Sequence, residues 1–248
     1  MGLALGGLAC ARRGWWVWAG VLLGLAVTSQ QFALLVVAPL VVLAPRNRRS
    51  RFVGAAIGAA ALVVVPLIAI TSGQVIKALV GAAATPPSGR TVLSAMHLHG
   101  PMLFSLSRIL PIVLAMVLAW WMGRRLGKAA LDPVPLVSLI ATSLALRLVL
   151  EVNLFGYYFM AATLSLVVLA IIRGRFSVCL VAWIALVTLA FNPLSWGNNP
   201  WSSPLPIWVW QILLVPVAVA LAAGPLTSSA HDRRGSTPRV TEEHRVAL

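Results

Sequence analysis

Acidic residues are nearly missing from this sequence. Its 248 residues include five, namely Asp132, Glu151, Asp232, Glu242 and Glu243. Asp132 follows a basic cluster and the last three lie near the C-terminus, which leaves Glu151 alone on the opposite side of the apolar runs. A hydrolase that works with two facing carboxylates has no second partner there. Charge of either sign is scarce. Only 10% of residues are charged, against about a quarter in a soluble domain, so the soluble globular class is excluded. There are two cysteines, Cys10 and Cys179, far apart and in apolar surroundings. That excludes a CxxC redox pair or a cysteine metal centre and leaves buried structural thiols. His97 and His99 in HLHG lack a third ligand and read as a solvated loop. There is no Gly-rich phosphate loop, nucleophile elbow, HExxH or internal repeat. No catalytic residue, metal or cofactor is therefore assigned.

What is present is apolar and basic. Hydrophobic residues make up 60% of the chain, and runs long enough to cross a bilayer recur along it. The expectation is an all-α, polytopic membrane protein with about six full spans plus a broken or re-entrant N-terminal helix pair. The spans read as 53–72, 101–121, 133–150, 155–172, 177–192 and 206–224. Residues 1–224 form one transmembrane domain, and 225–248 form a polar tail of disordered composition. A net charge of +14 would point to nucleic acid in a soluble protein. Here the basic residues sit in clusters between apolar runs, and no aromatic interleaving suggests base stacking.

The clusters alternate. Arg46, Arg48, Arg49 and Arg51 form one; Arg124, Arg125 and Lys128, then Arg173 and Arg175, then four arginines of the tail follow. The intervening loops 73–100, 151–154 and 193–205 hold only Lys77 and Arg90. The positive-inside rule puts the first set, and the C-terminus, in the cytoplasm of a plasma-membrane protein. The Ala, Val, Leu and Arg richness suits a bacterium.

The opening region does not fit one span. Trp15 to Pro45 as a single helix would run ~46 Å, against a hydrocarbon core of about 30 Å. The polar quartet Thr28, Ser29, Gln30 and Gln31 offers a break into two short helices, which would bring Arg12 and Arg13 to the side of Arg46–Arg51. Backbone freed at such a break must line a cavity or be buried in protein. The other reading is one kinked helix whose glutamines bond to neighbouring helices. Gly20–Gly24 and Gly54–Gly58 are small-residue pairs that permit close helix packing.

Few residues could carry chemistry. Arg147 and Glu151 stand four apart, so they either neutralise each other or hold a lipid phosphate, Arg147 binding and Glu151 orienting it. Arg108 either snorkels to the outer interface or joins an anion site. Tyr158 belongs to an aromatic belt or touches a sugar or phosphate.

AGVLLGLAVTSQQFALLVVAPLVVLAPRNRR (19–49) and LRLVLEVNLFGYYFMAATLSLVVLAIIRGR (146–175) resemble bacterial GT-C membrane glycosyltransferases. The shared pattern is a small-residue helix, a polar break often holding Lys, a Pro-bearing helix and an Arg-rich loop. The mannosyltransferase-like branch, glycosyltransferase family 87, is the nearest likeness. It implies transfer of a mannose-like sugar from polyprenyl phosphate at the outer face, with membrane lipid as partner and Gln31, Arg108, Arg147, Glu151 and Tyr158 as substrate-binding residues. Gln30 or Gln31 stands where the family often has Lys. The family's outer-loop acid belongs to a part before this one, so the resemblance implies a C-terminal portion, inactive alone. Two other functions fit the composition: a non-catalytic scaffold or degenerate homologue, and a small-molecule or lipid transporter using the break as its site.

Overall fold

The computed structural model describes residues 2–71, 74, 101–150, 157–191, 209, 212–213, 215–220 and 222. Glu151, the tail from 225 and, residue 74 apart, the loops expected at 73–100 and 193–205 lie outside the described residues. The secondary structure described is helical. In chain order the helices are α1 (Gly2–Arg12), α2 (Trp16–Ser29), α3 (Leu34–Leu43), α4 (Arg46–Ile70), α5 (Pro101–Leu126), α6 (Pro133–Leu150), α7 (Tyr157–Arg173) and α8 (Val178–Phe191). Short 3-10 turns lie at Gln31–Ala33 and Gly127–Leu131.

Three stretches are long and apolar enough to cross a membrane: Arg46–Ile70, Ser107–Leu131 and Pro133–Leu150. By length and composition this is a membrane protein. α1, α2, α3, α7 and α8 are apolar but shorter. Large apolar side chains such as Ile57, Leu62, Val65, Ile109 and Ile171 face outward, which suits lipid rather than water.

The opening region divides into three short helices, one more than the expected pair, because α1 also folds. Gly14 takes the left-handed turn at φ 77° and reverses the chain. Gly7 then packs on Leu23, and Gly2 and Ala26 line one cavity, so α1 and α2 form a hairpin. α2 ends inside the polar quartet. The Thr28 and Ser29 hydroxyls donate back to the Leu25 carbonyl, and Gln30 is extended at φ −154° and ψ 127°. Such back-bonding destabilises a helix only slightly, and the extended Gln30 is where the helix ends.

The path after the break follows from the glycines. A Cβ on Gly20 would strike the backbone of Phe52, and one on Gly24 that of Ala56. Four residues along α2 match four along α4, so these two helices run parallel. α3 must therefore return toward the start of α2. Ala44, before Pro45, is extended as that position requires, and α4 begins after the proline.

The Arg-rich segment read as a loop is helical instead. Arg46, Arg48, Arg49 and Arg51 occupy the first two turns of α4, and Arg124 and Arg125 the last turn of α5. Arginine is a good helix former and the long helices simply carry it past their apolar part. Arg49 Nη2 donates to the carbonyls of Val42 (3.1 Å) and Ala44 (3.4 Å), covering carbonyls that the end of α3 leaves open.

α6 is the central helix. Its apolar window is 72% buried, against 6% for α4, so α6 contacts protein on most sides and α4 lies at the periphery. The core joins Leu35 and Leu40 of α3 with Leu136, Ile140 and Leu144 of α6, Phe159 of α7 and Trp183 of α8. Thr142 and Ser143 are buried in α6 but donate to the carbonyls of Ser138 and Leu139, which limits the cost of burying them. Trp183 Nε1 donates to Thr163 Oγ1 at 2.9 Å, tying α8 to α7. Val215, Ala218 and Ala222 add a buried helical stripe to the same core.

Candidate functional site

The break in the opening region borders a cavity of about 420 Å³. Ser29 and Gln30 give it a polar rim, and Phe32, Val36, Leu144 and Ala161 give it apolar walls. The sequence forces this arrangement locally. α2 ends at Ser29, the extended Gln30 turns the chain, and the 3-10 turn carries Phe32 inward to 9% exposure.

Arg147 stands behind that wall. Its guanidinium carbon lies 4.5 Å from the centroid of the Phe32 ring, and the side chain is buried at 8% exposure. A desolvated guanidinium over an aromatic face gains ~2 kcal/mol. Stacking engages the flat face of the guanidinium, while its N–H donors point outward in the plane. Arg147 does not itself line the cavity and meets it only through Phe32; an apolar wall with a polar rim suits a ligand with a polar head and a long apolar tail.

The other expected site residues take different places. Gln31 opens the 3-10 turn, and its neighbour Gln30 is the glutamine that lines the cavity. Arg108 is half-buried in α5 and does not line the cavity. It stands sixteen residues before Arg124, and Arg147 fourteen after Pro133, which puts both ~21–24 Å from the basic end by helix rise. Tyr158 belongs to the first turn of α7. Glu151 lies outside the described residues. Ser29 fell within the break that the transporter reading took as its site, and Phe32 is the residue that sequence reasoning missed as a site member. A phenylalanine directly after a polar break was the available signal, since an aromatic there can only turn inward or face lipid.

No protein-family model, curated protein or solved structure matches this chain.

Proposed function

We propose that this chain binds a phosphate-bearing isoprenoid lipid in the cavity at the broken helix, in the manner of the polyprenyl-phosphate-dependent GT-C glycosyltransferases it resembles. The observation that carries the reading is Arg147, buried and stacked on Phe32, itself a wall of that cavity. In this reading the lipid phosphate meets Arg147, the isoprenoid lies along the apolar wall, and Gln30 and Ser29 contact the sugar. Arg108, Glu151 and Tyr158 are further site residues only by the resemblance, and Arg108 does not line the cavity.

The same reading makes the protein a six-span protein of a bacterial plasma membrane. The spans are α4 to α8 and a helix within 206–224. The basic ends and the C-terminal tail are cytoplasmic, and α1–α3 enters from that side. One observation favours binding without chemistry by this chain. Asp132 is the single acid among the described residues, and it is exposed next to the basic end, remote from the cavity. A carboxylate that takes the acceptor proton would therefore have to be Glu151 or come from elsewhere.

The test is retention of polyprenyl phosphate by the purified protein, measured by native mass spectrometry. Arg147→Ala is expected to weaken it ~10- to 100-fold, the loss typical of a charge-assisted contact. Retention equal to that of the unaltered protein would remove Arg147 from the site. Sugar transfer from polyprenyl-phosphate mannose, assayed in membranes, separates an enzyme from a binding protein.

A further inference from the structure

The basic end of the molecule holds a second cavity, of about 300 Å³. Trp15, Trp16 and Trp18 wall it from the start of α2, and Arg48 and Arg51 from the first two turns of α4. The parallel packing of α2 on α4, set by Gly20 and Gly24, is what brings these two segments together.

The arginines are exposed but stand at the less favourable end of their helix. The start of a helix is its positive end and favours acidic side chains, yet the first turn of α4 has no acid and begins an Arg-rich run. Arg49 is accounted for, because it covers the end of α3. Arg48 and Arg51 instead face the cavity, where an anion would offset both their mutual repulsion and the helix field. The indoles have their own peculiarity. Trp15 and Trp18 are 54% and 63% exposed, although tryptophan is among the largest apolar side chains. Arg13 lies 5.6 Å over the Trp15 ring. On α5 Arg124 and Arg125 stack on Trp120 and Trp121 at 4.2 and 4.4 Å. Indole and guanidinium at one level mark the headgroup layer of a membrane.

We infer that the cavity bounded by Trp15, Trp16, Trp18, Arg48 and Arg51 binds the headgroup phosphate of an anionic phospholipid at the basic face. The two guanidiniums take the phosphate oxygens, as their geometry favours. The indoles flank the glycerol and ester region beside them. None of these residues borders the cavity at the broken helix, so the two sites stand or fall separately.

The experiment is native mass spectrometry of the delipidated full chain with phosphatidylglycerol, with phosphatidylcholine and with inorganic phosphate. Phosphatidylglycerol is expected to be retained over phosphatidylcholine and not displaced by excess phosphate. Arg48→Gln combined with Arg51→Gln should weaken it at least ~30-fold, the loss expected on removing two direct charge-assisted contacts to the phosphate. Arg124→Gln with Arg125→Gln removes equal charge at the same end without a direct contact, and in salt that screens distant charge should leave this retention within about threefold. Equal loss in both double variants would overturn the site in favour of diffuse attraction. Tight binding of inorganic phosphate would overturn the lipid assignment. Arginine modification by phenylglyoxal, mapped on the unaltered protein, gives a readout independent of folding in the variants. Phosphatidylglycerol should protect Arg48 and Arg51 more than Arg124 and Arg125, and uniform protection would refute the proposal.

Discussion

Arg147 is the one charged side chain that is buried among the described residues. A charge in that setting is retained only where something compensates it, and the Phe32 ring at 4.5 Å supplies part of the compensation. A double-mutant cycle of Phe32→Leu and Arg147→Met measures this directly. The coupling is expected to be ~1–2 kcal/mol in thermal or denaturant unfolding in micelles, and a coupling near zero would remove the stacking from the account. The arginine itself was readable as unusual, because an ionisable residue inside an apolar run is always so. Its partner was not, since Phe32 lies 115 positions away in the sequence and only packing joins them.

At the scale of elements, the glycines separate into two groups that look alike in sequence. Gly20 and Gly24 meet the α4 backbone, whereas a Cβ on Gly54 or Gly58 would meet nothing within 4 Å. Gly24→Ala is therefore expected to cost ~1–3 kcal/mol, because backbone cannot yield as a side-chain tip can. Gly54→Ala should be neutral or stabilise by up to ~1 kcal/mol through helix propensity. Comparing the melting temperatures of both variants checks this, and equal losses would contradict the packing described. The break within Thr28–Gln31 was one of two readings the sequence offered, because the apolar run is too long for one span; hydroxyl back-bonding does not decide it, since Thr142 and Ser143 bond the same way inside the unbroken α6. The long helices α4, α5 and α6 were legible to within a few residues of their ends, except that Arg46–Arg51 extended α4 backward. Charge patterning finds a membrane boundary, and a helix has no obligation to stop there.

The whole molecule has a polarity. Arg48 and Arg51 share a cavity with Trp15–Trp18 at the start of α2, and Arg12 closes α1 just before that turn. α4 leads from this end to Thr71 at its far end. With Cys10 and Cys179 replaced, single cysteines at Arg46 and Thr71 report the orientation. Impermeant maleimide on intact cells is expected to label Thr71→Cys at once and Arg46→Cys only after permeabilisation. Labelling of both from the same side would show that α4 does not cross the membrane.

Sequence alone determined the class of this protein, helical and membrane-embedded. It also offered the break within Thr28–Gln31 as one of two readings, because apolar run length and charge clustering are properties of neighbouring residues. Tertiary structure decided everything that depends on which helix meets which. It chose a returning α3 over a kinked span, made α6 central and α4 peripheral, set Phe32 under Arg147, and closed a basic cavity around Trp15–Trp18. Apolar side chains are nearly interchangeable in lipid, so hydropathy carries little information about partners. The decision fell to close approach at Gly20 and Gly24 and to the few polar groups that had to be satisfied inside.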